Sequence, residues 1–166
     1  MSIKALYYGG QKSGKSLLAE QKTLSLSLYR KPYYIATYDN SYADKEMQKR
    51  LKQHQIQRTN KFISIEEPLD LVQHIKAGES YLIDCISMWI LNHIHQEDSV
   101  LLNQLEALSK IDANIVFVLN DVNSGVIPMD KESRKFVDTT GVIGQYLAKI
   151  CDEVYEVKLG LPIPLK

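Results

Sequence analysis

The sequence predicts an α/β protein: a mostly parallel β-sheet with helices on both faces. Three observations carry this. Residues 9–16 read Gly9-Gly10-Gln11-Lys12-Ser13-Gly14-Lys15-Ser16, the G-x-x-x-x-G-K-S pattern of a phosphate-binding loop, set between a strand-like and a helix-like segment as that motif requires. Strand and helix patterns then alternate along all 166 residues, which implies right-handed β-α-β crossovers. Residues 114–120 (Asn-Ile-Val-Phe-Val-Leu-Asn) lack polar alternation, as expected of a strand covered on both faces.

The elements follow in order. Residues 3–8 form a buried strand, and a helix begins at Ser16. Lys31-Pro32 breaks the pattern before an aromatic-rich strand at 33–37, and 38–42 is a loop. Residues 43–58 are helical in composition and heavily charged. A short strand at 62–65 runs into Glu66-Glu67, and Pro68 suits the first position of a short helix that Gly78 ends. Residues 81–86 are a third hydrophobic strand, followed by helical pieces at 88–95 and 99–111. After the 114–120 strand comes a loop through Gly125 to Pro128, then a long helix at 131–150 containing Gly141 and Gly144. A last strand spans 153–158, and 160–164 reads as an irregular tail. One domain with no linker or repeat is expected over 1–166.

Bulk chemistry narrows the function classes. Twenty basic and twenty acidic residues cancel, so no global field draws nucleic acid or an anionic membrane. Cys85 and Cys151 are far apart and form no C-x-x-C, which suits a reducing compartment rather than a disulfide framework or zinc site. No apolar run reaches the ~20 residues of a membrane span, and residues 1–4 lead straight into a strand with no signal peptide. A cytoplasmic protein is expected.

Parallel sheets place ligands at the carboxyl ends of their strands. The glycine-rich loop, Thr37, Glu66, Asp84 and Asn120-Asp121 all fall at such ends and are expected to converge on one cleft. In the loop, consecutive N–H groups would surround a phosphate, Lys15 would add a point charge, and Ser16 would offer its hydroxyl to Mg²⁺. The metal needs an acidic partner. Asp84 is preferred because it directly ends its apolar run, with Asp121 as the alternative; either also reads as a cap or turn residue. In the charged helix, Met47, Arg50, Leu51, His54 and Arg58 share a face by spacing. Two arginines bracketing an imidazole could hold a polyphosphate and attack phosphorus, and the same pattern also describes a solvated surface histidine. His74, His93 and His95 form no metal-ligand spacing.

These residues, in order, resemble the bifunctional adenosylcobinamide kinase/adenosylcobinamide-phosphate guanylyltransferase family of cobalamin biosynthesis. The resemblance takes in the loop at 9–16, Tyr34-Ile35-Ala36-Thr37, Glu46-Met47 with Arg50, His54 and Arg58, and Glu66. It continues through 82–86 with Trp89 and Asn92, 118–122 with 125–128, 152–155, and the closing Gly160, Pro162 and Lys166. It implies a RecA-like P-loop core and an oligomer, typically a trimer. It also implies two steps. A nucleoside triphosphate, ATP or GTP, phosphorylates adenosylcobinamide. His54 then takes GMP from GTP and passes it to the cobinamide phosphate. On this resemblance His54 and Lys15 are catalytic. The nucleotide site comprises 9–16, Thr37, Arg50, Arg58, Glu66 and Asp84, with Ser16 and Asp84 on the metal. Departures from the family pattern are Lys12 for Arg, Phe62 for Trp, Asp121-Val122-Asn123 for Glu-Val-Gly, Val137 for Arg and Gly144 for Asn. Other classes compatible with the loop are a plain small-molecule kinase and a nucleotide-binding switch or degenerate relative without turnover.

Overall fold

The computed structural model describes residues 1–39 and 44–166, apart from the side chains of residues 54 and 57. Seven strands form one sheet: β1 (Lys4–Gly9), β2 (Tyr33–Ala36), β3 (Ile63–Glu66), β4 (Ser80–Asp84), β5 (Asn114–Asn120), β6 (Glu153–Lys158) and β7 (Leu161–Pro164). Their order is β3-β2-β4-β5-β1-β6-β7, parallel except for the antiparallel β6–β7 pair. Among the described residues, five α-helices connect them: α1 (Lys15–Leu26), α2 (Lys45–Arg58), α3 (Ile86–Asn92), α4 (Asp98–Lys110) and α5 (Lys131–Ile150).

Strand alternation divides the core into two layers. Ile115, Phe117 and Leu119 of β5 point to the layer holding Trp89, Leu105, Ile143 and Leu147. Val116 and Val118 point to the opposite layer, against Ala19 with Leu18 of α1. The central strand is thus apolar throughout because it has no solvent face. Gly144 allows α5 its close approach: a Cβ there would lie 3.3 Å from Leu119 Cδ2.

Three expectations are corrected. The short helix at 68–78 is only a 3₁₀ turn at Val72–His74. Its backbone is engaged elsewhere: Glu67 accepts from the N–H of Leu69 and Asp70, while Trp89 and Asn92 side chains donate to the carbonyls of Leu69 and Pro68. The tail at 160–164 is strand β7. Leu159 (φ 53) and Gly160 (φ 78) form a two-residue left-handed turn that pairs Lys158 with Leu161. Pro162 and Pro164 lack a ladder donor, which an edge strand tolerates. The third hydrophobic strand ends at Asp84 rather than 86, and the following helix is displaced toward the N-terminus, to Ile86–Asn92.

β5 lies between β1, which carries the glycine-rich loop, and β4, which ends in Asp84. Helix α1 leaves that loop and packs back over β1, β5 and β4. The order of the strands therefore sets one loop and one carboxylate at the same edge of the sheet.

Candidate active site

The glycine-rich loop runs from the end of β1 into α1. Lys12 (φ 54) and Gly14 (φ 96) take left-handed conformations that turn the chain, and Gly14 precedes the first helical residue. The Gly160 N–H donates to the Ser13 carbonyl at 2.8 Å, so the β6–β7 turn braces the loop from outside. A side chain at Gly9 is barred, since its Cβ would lie 2.5 Å from the Val157 carbonyl oxygen. Lys15 is 7% exposed, and its Nζ donates to the Gly10 carbonyl at 3.0 Å. Burial lowers its pKa, opposed by the nearby Asp84 and Cys85. Among the described residues, the Ser13 hydroxyl is a buried polar group with no hydrogen-bond partner. A phosphate oxygen in the loop would supply one.

Asp84 faces this loop from the end of β4. Burial raises its carboxyl above the usual range, against the opposing hydrogen bond from Tyr34 and the charges of Arg58 and Lys15. The Tyr34 hydroxyl donates to Asp84 Oδ2 at 2.8 Å. Arg58 stacks over the Tyr34 ring at 4.1 Å, donates from Nε to Glu20 Oε1 at 2.8 Å, and leaves Nη2 3.9 Å from Asp84 Oδ2. Glu20 lies four residues after Ser16 in α1, and nothing in the sequence patterns singled it out. The only local signal was its position one helical turn from the loop.

Other sequence-derived residues divide. Glu66 ends β3 and accepts from the Gln55 amide at 3.2 Å. Tyr34, Leu51, Gln55, Arg58, Glu66 and Asp84 line one small pocket between α2 and the strand ends. Arg50 lies apart from this group, paired with Glu46 at 3.0 Å with its side chain 66% exposed. Of the face expected from spacing (Met47, Arg50, Leu51, His54 and Arg58), Leu51 and Arg58 turn to this pocket together with Gln55, while Arg50 does not. The Thr37 side chain is fully buried and spent on backbone: its hydroxyl donates to the Cys85 carbonyl and accepts from the Cys85 N–H. Its role is to join the ends of β2 and β4 beside Asp84. Gln11 and Lys12 are exposed on the loop. The backbone of His54 lies in α2, one turn before Arg58, while its side chain is outside the described residues, as are residues 40–43 of the loop expected at 38–42.

Asp121, the alternative metal partner, is engaged within its own turn. The Ser124 hydroxyl and the Asn123 N–H donate to its carboxylate, whose pKa the Tyr8 and Ser124 hydrogen bonds lower against the effect of burial. Ser16 and Asp84 remain as hard oxygen donors. Mg²⁺ takes one or two protein oxygens and completes its shell with phosphate and water, so a hydroxyl plus one carboxylate suits it. A second cleft, of about 550 Å³, adjoins the Asp84 pocket at Tyr38 and is lined by Met88, Leu91, Ile94, His95 and Glu132 among others.

The chain as a whole has known relatives. The model of the cobinamide kinase / cobinamide phosphate guanyltransferase family matches residues 5–165. The chain is 34% identical to the bifunctional adenosylcobalamin biosynthesis protein CobP of Pseudomonas aeruginosa, over 99% of this chain and 98% of the relative. It is 28% identical to the bifunctional adenosylcobalamin biosynthesis protein CobU of Escherichia coli, over 97% and 98%. Among solved structures, the KaiC-like protein PH0186 of Pyrococcus horikoshii superposes with a TM-score of 0.48 at 14% identity, over 93% of this chain and 70% of that one.

Proposed function

Because the chain belongs to the cobinamide kinase / cobinamide phosphate guanyltransferase family, we propose that it is a two-step transferase of cobalamin biosynthesis built on one phosphate-binding loop. In the first step the aminopropanol hydroxyl of adenosylcobinamide attacks the γ-phosphorus of ATP or GTP. The β–γ bridging bond breaks and the hydroxyl proton is released. In the second step the His54 imidazole attacks the α-phosphorus of GTP, the α–β bridging bond breaks, pyrophosphate leaves, and the ring releases its N–H proton. The phosphate oxygen of adenosylcobinamide phosphate then displaces the imidazole. The P–N bond breaks, the histidine regains a proton, and adenosylcobinamide-GDP forms.

The observation that carries the nucleotide part is the buried, unpartnered Ser13 hydroxyl inside a loop whose lysine is also buried. Lys15 and the loop N–H groups hold the phosphates and stabilise charge on the leaving group. The α1 N-terminus adds its positive dipole end. Ser16 and Asp84 would hold Mg²⁺, which would supply positive charge to neutralise the phosphates. Arg58 and Glu66 flank Asp84 and shape the wall of the nucleotide site, with Thr37 fixing the strand ends behind it. The cleft beyond Tyr38, with an apolar floor of Met88, Leu91 and Ile94 and a polar rim, supports seating the amide-fringed corrin ring there.

We read the chain as a single nucleotide-binding domain acting in the cytoplasm as a homo-oligomer. The exposed apolar side chains Val126, Ile127 and Met129, clustered after β5, support self-association.

The test is covalent labelling. Incubated with α-labelled GTP and Mg²⁺, the protein should form an acid-labile adduct that both His54→Ala and Lys15→Ala abolish. Label retained at wild-type level in His54→Ala would move the nucleophile elsewhere. An unlabelled protein that still transfers γ-phosphate to cobinamide would be a plain kinase. A protein that does neither would be a nucleotide-binding relative without turnover.

A further inference from the structure

Helix α2 carries the proposed nucleophile yet is weakly tied to the rest of the molecule. None of its described side chains belongs to either apolar core cluster, and residues 45–50 are all exposed. What holds its C-terminal end is polar. The Arg58 side chain, 14% exposed, lies over Tyr34 and forms a 2.8 Å ion pair with Glu20 of α1. Glu20 stands four residues after Ser16, so this pair joins the histidine-bearing helix to the helix that begins at the phosphate-binding loop.

The same guanidinium has two carboxylates to choose between. It reaches Glu20 at hydrogen-bond distance and stops at 3.9 Å from Asp84, whose Oδ2 takes the Tyr34 hydroxyl instead. An arginine this buried needs a charged partner, because desolvation leaves an unpaired guanidinium costly. If Glu20 were neutral, Asp84 would be the nearest carboxylate. Arg58 would close on it, shifting the end of α2 and occupying the acid that faces the loop.

We propose that Glu20 is a positioning residue for guanylyl transfer: through Arg58 it sets the end of α2 against α1 and keeps the guanidinium off Asp84. The proposal rests on the histidine reading above. His54 lies one turn, about 6 Å of helix rise, before Arg58, so displacement at the anchor carries directly to the nucleophile. Misplacing a nucleophile by about 1 Å can lower a rate by about a hundredfold, whereas phosphate binding in the loop does not require α2.

The experiment measures the rate constant of adduct formation at saturating α-labelled GTP with Mg²⁺, alongside the Kd of a fluorescent GTP analogue measured without Mg²⁺, to which Asp84 as a metal holder does not contribute. Glu20→Gln should slow adduct formation by at least about tenfold while its Kd stays within about twofold of wild type. Arg58→Gln should also slow it. The double variant Glu20→Gln/Arg58→Gln should be no slower than the worse single variant, because the two act as one unit. Glu20→Asp, which keeps the charge, should be intermediate, and it replaces Glu20→Gln in the comparison if that variant does not fold. An adduct rate in Glu20→Gln within about twofold of wild type, or single effects that multiply in the double variant, overturns the proposal and leaves the histidine reading intact. Absence of any adduct in the wild-type protein sinks both.

Discussion

The Tyr34 hydroxyl donates to Asp84 Oδ2 at 2.8 Å, across the neighbouring strands β2 and β4. This hydrogen bond holds the carboxylate in a pocket where burial raises its pKa. A raised folded-state value stabilises the fold only below the unfolded pKa of about 3.9, and that contribution is lost as pH rises through the folded value. At neutral pH the charged Asp84 therefore opposes folding. Asp84→Asn, which keeps an acceptor for Tyr34, should raise the Tm of the ligand-free protein at pH 7.5 by about 2–4 °C, the shift that ~1 kcal/mol produces in a chain of this size. The same variant should lose at least about a hundredfold in adduct formation. Calorimetry and the labelling assay check this; a lower Tm would show that Asp84 supports the fold rather than burdening it.

Gly9 and Gly10 are adjacent in sequence but not in consequence. A Cβ at Gly9 meets the Val157 carbonyl oxygen at 2.5 Å and Ser13 Oγ at 2.8 Å, while one at Gly10 meets nothing within 4 Å. The Val157 carbonyl belongs to a strand paired with β1 and has little freedom to move. Gly9→Ala should cost about 1–3 kcal/mol, and Gly10→Ala should leave stability within about 0.5 kcal/mol. Urea denaturation distinguishes them. Equal midpoints would mean the loop yields where the packing says it is fixed.

Lys22 of α1 and Glu153 of β6 form a 2.7 Å ion pair. The Lys22 hydrogen bond lowers the Glu153 pKa, with the Tyr155 hydroxyl adding to it against burial. A depressed carboxylate contributes stability that is present above the unfolded pKa of about 4.3 and lost as pH falls through the folded value. Glu153→Gln should therefore lower Tm near pH 7, and the gap to wild type should close as pH falls through the acid range below about 4. A pH series of thermal melts reads it; a gap that stays constant into acid would remove the ion pair as its cause.

The amino-acid sequence by itself determined the phosphate-binding loop, the parallel α/β class, the doubly buried β5 and the boundaries of most elements. Loop chemistry and apolar period are local, written within a few consecutive residues, and nothing distant has to be known to read them. Local spacing also placed Arg50 and Arg58 on one face of α2, yet Arg50 pairs outward with Glu46 while Arg58 turns inward to Glu20 and Tyr34. The strand order that inserts β5 between the loop and Asp84, and the hairpin that turns 161–164 into an edge strand, were decided by tertiary structure. So was the choice of Glu20 over Asp84 as the partner of Arg58. Such choices depend on which groups meet after burial, where desolvation makes charges compete for partners that are 38 and 26 residues away along the chain.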